Sequence, residues 1–206
     1  MNRLEDDDGP LTPEETLRII EEQQRSTVRR LGGDPLLLHA PWGLAWLTGF
    51  GALFAHYAYG AISSNTAITV LFAGMMLAMA ASAYGQSKMV GRVRGQSSQR
   101  GMMYGLAWAF GYASVIAIDV RLSPLLPPEE TGLLWAVTSM ALVAALYVAG
   151  GAIWRDWTMF FLGTGLAVFN LVGAVAGPTV HALLMCVGGG GGFLVVGVAR
   201  RLRRAA

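Results

Sequence analysis

The feature that most constrains this chain is a long stretch without charge, because positions 35 to 87 contain no Asp, Glu, Lys or Arg. A stretch of that length cannot form a water-exposed surface, since soluble domains carry about 25% charged residues. The whole chain of 206 residues is 54% hydrophobic and only 14% charged. Repeated apolar segments of about 20 residues are typical of membrane-spanning helices. We therefore expect an all-α, polytopic membrane helix bundle whose main partner is the lipid bilayer.

Six apolar segments predict six transmembrane helices, at 41–61, 66–84, 102–120, 132–152, 157–177 and 179–198. At about 1.5 Å per residue each is long enough to cross the ~30 Å hydrocarbon core. The turns at 63–65 and 177–178 are short, which indicates antiparallel neighbours. The transmembrane domain, 35–198, is thus predicted to consist of three tandem helical hairpins at 41–84, 102–152 and 157–198.

The distribution of Lys and Arg predicts how this domain is oriented. Of the 15 basic residues, only Arg121 falls in a loop on the opposite side from the others. Basic residues are enriched in cytoplasmic loops, so we expect an inner (plasma) membrane protein with both termini in the cytoplasm. The same rule explains the basic loop 88–100 and the basic tail 199–206, and we expect no nucleic-acid partner.

An internal repeat links two of the hairpins. Trp42-Gly-Leu-Ala-Trp-Leu-Thr-Gly-Phe50 and Tyr104-Gly-Leu-Ala-Trp-Ala-Phe-Gly-Tyr112 share the pattern aromatic-Gly-Leu-Ala-Trp-x-x-Gly-aromatic. A fainter third copy begins at Thr164, in the fifth span. In span number, chain length and repeat period the chain resembles the acid-resistance HdeD-like membrane proteins. That resemblance implies three hairpins and a stress-related membrane role, and it assigns no residue a function.

The N-terminal segment, 1–34, contains a predicted cytosolic amphipathic helix at 13–31. Thr12, Pro13 and Glu15 form a helix-start pattern with a capping box, and Gly32-Gly33 suits the stop. One stripe of this helix carries the candidate partner-binding residues, Leu17, Ile20, Gln24, Val28 and Leu31. The stripe either packs on the inner loops or the lipid headgroups, or docks a protein partner or a second copy of the chain.

Polar residues inside predicted spans are the candidate ligand-binding residues. Asn170 is the only amide deep in a span, and His56 lies in the outer half of the first span. Asn170 and Met185 lie at similar distances from the Gly177-Pro178 turn, so we expect Asn170 to face the start of the glycine run. It would either clasp two helices or bind a ligand. Asp119 and His181 lie at a depth similar to that of His56, but no spacing matches a metal-ligand motif, and neither a metal nor a cofactor is expected.

Five consecutive glycines, 188 to 192, interrupt the sixth span. A loop at this depth would leave backbone groups without hydrogen bonds, so we expect a continuous helix that neighbouring helices approach closely. The alternative is a discontinuous helix whose Gly188, Gly190 and Gly192 carbonyls bind a ligand. Glycines four residues apart predict the helix-packing faces, at Gly101 and Gly105, Gly173 and Gly177, and Gly188 and Gly192.

No nucleophile–base pair, metal-spaced cluster or phosphate loop points to an enzyme. We therefore expect a non-catalytic membrane protein whose N-terminal helix docks or regulates a partner. The alternative is a small-molecule or ion transporter, or a channel-like protein, with a site near the midplane of the fifth and sixth spans.

Overall fold

The computed structural model describes residues 12–31, 35–87 and 96–205, and the regular structure within these ranges is helical. The chain divides into two units, residues 1–32 and 33–206. The first unit holds one helix, α1 (Pro13–Leu31). The second holds α2 (Pro35–Tyr59), α3 (Ser64–Ser87), α4 (Gln96–Leu122), a 3₁₀ turn (Ser123–Leu125), α5 (Pro128–Trp154), α6 (Trp157–Ala176), α7 (Pro178–Leu184), a π-helical segment (Met185–Gly190) and α8 (Gly191–Ala205).

Six stretches of the described helices are long and apolar enough to cross a membrane. Five of them lie in α2 to α6, and the sixth runs from α7 through the π-helical segment into α8. The prediction of six membrane-length helices is confirmed. The regular structure of the described residues is all helical, and its six membrane-length helices fit a multi-pass membrane protein.

Two of the helices begin six residues earlier than the apolar pattern predicted. α2 begins at Pro35 rather than at position 41, and Pro41 lies inside the helix. Proline removes one backbone donor but has a φ compatible with the first turns of a helix. The extra turn is held by packing, because the side chain of Leu37 lies against Gly85 near the end of α3. α4 likewise begins at Gln96 rather than at position 102.

The core lies where α2 meets α7, the π-helical segment and α8. Trp46 and Phe50 of α2 are buried here together with Met185, Phe193 and, from α6, Leu166. α2 also packs against α3, and α5 packs against α6. Close approach is possible because small residues line the contacts: a methyl group built on Gly163 of α6 would lie 2.7 Å from the backbone nitrogen of Val148.

α4 is the most peripheral of the membrane-length helices. Asp119 is the one fully buried residue among its described side chains. Its links to α5 include the hydroxyl of Tyr104, which donates to the carbonyl of Leu146 at 2.6 Å, and Gly111, which lies against Leu142. On the side facing α3 it leaves a gap, which Met75, Met79, Gly105 and Ala109 line.

The two strong repeat copies share one packing feature and differ in another. The second glycine of each copy receives a leucine from the helix that follows: Leu71 lies against Gly49, and Leu142 lies against Gly111. The first glycines differ, because Gly43 lies against α8 whereas Gly105 has no neighbouring atom within 4 Å of the position where a Cβ would stand.

Candidate functional site

A series of buried and half-buried polar side chains lies on four helices of the second unit. It begins at Asp119 of α4, which is completely buried. The hydroxyl of Thr138 on α5 donates to Asp119 Oδ2 at 2.7 Å, while Asp119 Oδ1 has no hydrogen-bond partner among the described residues. Ionisable side chains within membrane spans are costly and rare, and they are functional candidates by default.

The next members lie on α5, α6 and α7. The amide nitrogen of Asn170 donates to the carbonyl of Val137 at 3.0 Å, which leaves Asn170 Oδ1 to accept from His181 Nε2 at 2.8 Å. A carbonyl can only accept, so this orientation of the amide is the consistent one, and His181 must carry its proton on Nε2. Val137 and Thr138 are adjacent on α5, so the two hydrogen-bonded groups lie next to each other without a hydrogen bond between them, and we call the four side chains Asp119, Thr138, Asn170 and His181 the polar chain.

The position of Asn170 differs from the prediction. We expected its amide to face the glycine run of the sixth span, but both of its hydrogen bonds go elsewhere, to α5 and α7. Gly173 is the reason: a methyl group there would lie 2.7 Å from the Cα of His181, so α7 approaches α6 closely enough for His181 to reach Asn170. The residues of α6 that touch the glycine run are instead Leu162, Leu166 and Phe169.

The polar chain acts first as a clasp. Asn170 uses its oxygen and one N–H within the protein, and it is 6% exposed. Its residual surface borders a groove of about 410 Å³ between α5 and α6, lined mainly by small residues such as Ala141, Ala145 and Ala174. Interhelical hydrogen bonds of this kind contribute about 0.6–2 kcal/mol each in membranes.

His56 does not belong to this chain. Its Nδ1 lies 2.9 Å from the carbonyl of Ile62, and its ring is tilted against Tyr57 at 5.0 Å. It therefore closes the turn between α2 and α3. Among the described residues, no three of His, Cys, Asp and Glu are grouped so that they could hold a metal ion. His56, Asp119 and His181 therefore do not form a metal site.

The glycine run is helical but not a uniform α-helix. Met185–Gly190 is π-helical, with α-helix on both sides, so the sixth span is continuous. In a π-helix each backbone hydrogen bond spans one residue more than in an α-helix, and such stretches are frequent at functional sites. This segment contacts α2, because the thiol of Cys186 donates to the carbonyl of Leu47 at 3.3 Å.

The predicted packing glycines have different surroundings. Within the run, Gly188 lies against Phe169, Gly190 against the backbone of Leu47, and Gly192 more loosely against Leu162. Gly173 packs closely on His181. Gly177 does not pack but has a φ of +95°, which suits its place in the turn between α6 and α7.

Gly101 and Gly105 have no neighbour within 4 Å of a built Cβ, so they form no packing face within the described chain. Both lie on the exposed side of α4. The predicted packing face at these two glycines is therefore not formed by any of the described helices.

An ion pair joins the start of α6 to α8, and the sequence patterns did not predict it. Asp156 caps α6 by accepting from the backbone nitrogens of Thr158 and Met159, and it accepts from the guanidinium of Arg200 on α8 at 2.6 Å. Partial burial tends to raise the pKa of Asp156, but the hydrogen bonds from Arg200, Met159 and Thr158 outweigh it and lower the pKa. The N-cap pattern Asp-Trp-Thr could have revealed the cap, although not its partner.

The first unit carries the other candidate surface. Leu17 and Ile20 are 61% and 47% exposed. The side chains of Gln24, Val28 and Leu31 lie outside the described residues. The predicted capping box is present, because the backbone nitrogen of Thr12 donates to Glu15 Oε2 at 3.0 Å and that of Glu15 donates to Thr12 Oγ1 at 3.3 Å. The backbone nitrogen and the hydroxyl of Thr12 both donate to the Glu15 carboxylate, and these two bonds lower the pKa of Glu15.

Comparison of the chain with protein-family models, curated proteins and solved structures finds no match. Any proposal for the function of the protein therefore rests on the geometry of the described residues.

Proposed function

We propose that this chain is a non-catalytic, multi-pass protein of the inner (plasma) membrane, built from three tandem hairpins, with both termini in the cytoplasm. Its N-terminal helix α1 docks or regulates a partner protein, and the six membrane-length helices anchor it. The observation that carries the proposal is that α1 belongs to a unit of its own and starts with a reciprocal Thr12–Glu15 cap. A helix closed in this way keeps its first turn without help from the rest of the chain.

The charges of α1 favour a protein partner over a lipid surface. The helix contains four Glu and four Arg, so its polar face is mixed in sign. Helices that lie on anionic membranes are instead rich in Lys and Arg on the polar face. The exposed Leu17 and Ile20 then supply the apolar contact that a groove on the partner would cover.

A site-specific crosslinking experiment tests this proposal. A photoreactive amino acid at Leu17 is expected to give a discrete protein adduct in cells, whereas the same probe at Glu22 gives none. A second copy of the chain would appear as an adduct of twice the mass. If deletion of residues 1–34 leaves the set of co-purifying proteins unchanged, the docking role is contradicted.

A second candidate function is favoured by the buried polar chain. A small-molecule or ion transporter, or a channel-like protein, would use groups near the midplane of α6 and α7–α8. Asp119 adds support, because a purely structural clasp does not explain why its buried Oδ1 has no hydrogen-bond partner among the described residues. Proton flux into pyranine-loaded liposomes provides the test. Transport is expected to fall in Asp119→Asn, Asn170→Leu and Gly190→Leu but not in the control Gly191→Ala. If the proton flux of the three correctly folded variants Asp119→Asn, Asn170→Leu and Gly190→Leu equals that of the wild type, a transport site here is contradicted.

A further inference from the structure

The turn between α5 and α6 and the last turns of α8 together form a strongly basic region of the second unit. Asp156 of the turn accepts from the guanidinium of Arg200 at 2.6 Å, so the two segments lie side by side. Arg203 is three residues after Arg200 and therefore lies next to it on α8, and Arg155 directly precedes Asp156. We call Arg155, Arg200, Arg201 and Arg203 the basic end. Asp156 is the one acidic residue described in these two segments.

This single acid does not neutralise the basic end. The carboxylate of Asp156 is already held by two backbone nitrogens at the start of α6 and by Arg200. The side chains of Arg155 and Arg203 are exposed, and neither forms a hydrogen bond or an ion pair with another described residue. Their two charges are therefore available to an anionic partner.

The backbone at Arg155 is unusual for an arginine. Arg155 ends α5 in the left-handed conformation, with a φ of 53° and a ψ of 40°, and it is the one non-glycine residue with a positive φ among the described residues. Glycine is the usual residue at such a helix end, because it has no Cβ to clash with the backbone. Residues in unfavourable backbone conformations cluster at functional sites. The arginine here therefore indicates a role for its guanidinium that glycine could not fill.

An exposed aromatic strip begins beside the basic end. Trp157 directly follows Asp156, and Phe161 lies one turn further along α6, with the two rings stacked at 5.6 Å and 27°. Trp157 is 70% exposed and Phe161 is 64% exposed. Tryptophan is enriched at the depth of lipid headgroups, and both rings belong to a helix that is long and apolar enough to cross a membrane. The strip therefore runs from the basic end toward the apolar middle of α6.

We propose that the basic end and the aromatic strip together bind an anionic phospholipid. The phosphate of its headgroup accepts from Arg155 and Arg203, and one of its acyl chains lies along Trp157 and Phe161. A free phosphate or a nucleic acid would use the charges but leave the exposed rings uncovered, whereas a phospholipid matches both. The site rests on the membrane embedding proposed above. It does not depend on docking by α1, which lies in the other unit.

Quenching of tryptophan fluorescence by brominated lipids tests this site on the full chain in nanodiscs. All nanodiscs contain the same minor fraction of phosphatidylglycerol in phosphatidylcholine, and bromine is carried either by the phosphatidylglycerol chains or by an equal amount of phosphatidylcholine. The signal of Trp157 is the difference between the wild type and Trp157→Phe. We expect brominated phosphatidylglycerol to quench Trp157 more strongly, because each arginine beside an anionic headgroup should raise the preference for that lipid roughly fivefold.

Variants of the two unpaired arginines assign the preference to the site. Arg155→Gly should lower it roughly fivefold while keeping the turn, because glycine adopts a positive φ freely. Arg203→Gln should have a similar effect, and the double variant should bring quenching by the two brominated lipids close together. Arg155→Lys keeps the charge and should retain the preference. Arg121→Gln is the matched control, because it removes an exposed arginine from the last turn of α4, at the other end of the helix, and should also retain the preference.

Each contrary outcome has a separate meaning. Quenching of Trp157 that is present but equal for the two brominated lipids overturns the phospholipid site. A preference that Arg155→Gly and Arg203→Gln leave unchanged also overturns it, since the anionic lipid would then bind elsewhere on the chain. If neither brominated lipid quenches Trp157, the membrane-embedded bundle on which the site rests is contradicted as well.

Discussion

At the scale of single residues, the polar chain shows how few side chains can hold a membrane bundle in register. Asn170 satisfies a carbonyl of α5 and a histidine of α7 at once, so one amide connects three helices. Hydrogen bonds in membranes are worth less than the apolar surroundings suggest, because the unfolded helices also find partners there. We therefore expect measurable but modest effects from their removal.

A double-mutant cycle on Asn170 and His181 tests the clasp. Asn170→Leu and His181→Leu should each lower the free energy of unfolding by roughly 1–2 kcal/mol. Because the two side chains share one hydrogen bond, the double variant should lose less than the sum, with a coupling of at least 0.5 kcal/mol. Unfolding of the purified protein in mixed micelles measures this. Strictly additive losses would contradict the contact.

The Asp156–Arg200 ion pair should give a specific pH dependence. The pKa of Asp156 is lower in the folded protein than its ordinary value, so its contribution to stability is complete above the unfolded pKa of about 3.9. That contribution is lost as the pH falls from there through the folded pKa, because the unfolded state binds the proton first. Asp156→Asn should be less stable than wild type at pH 7, and the difference should shrink below about pH 4. Thermal unfolding from pH 3 to 7 measures it. A constant difference would show that the carboxylate charge is not involved.

At the scale of elements, the sequence predicted the positions of the helices better than it predicted the partners of individual side chains. Spans follow from hydrophobicity and length, and these decide helix positions in a membrane. The partners of Asn170 did not follow, because an argument from equal depth in a two-helix hairpin leaves out the close approach of His181 at Gly173 and the third helix, α5. The π-helical segment was also not predictable, since it depends on how α2 packs against the glycines.

The glycine run provides the sharpest comparison between neighbouring positions. A methyl group on Gly190 would lie 2.7 Å from the backbone nitrogen of Leu47, whereas one on Gly191 has nothing within 4 Å. Gly190→Ala should therefore destabilise the protein by about 1–3 kcal/mol through overpacking against a backbone that cannot move aside. Gly191→Ala should leave stability unchanged or raise it, since Ala favours helix over Gly. Equal melting temperatures for the two variants would contradict the proposed α2 contact.

At the scale of the whole molecule, the apolar helices and the most highly charged helix lie in different units. The second unit holds six helices that could cross a membrane. The first holds a helix with four Glu and four Arg. Asp156 of the α5–α6 turn and Arg200 of α8 meet at one end of the bundle, which agrees with placing that turn and the C-terminal segment on the same side. This combination supports the proposal of a membrane-embedded bundle with a charged N-terminal helix.

The most direct measurement is cysteine accessibility in intact cells, in a Cys186→Ala background. Ser98→Cys, near the start of α4, should react with a membrane-impermeant maleimide only after the cells are opened, whereas Glu130→Cys, in the first turn of α5, should react in intact cells. Both positions are exposed. Labelling of position 98 in intact cells, or no difference between the two positions, would contradict a six-span bundle with cytoplasmic termini.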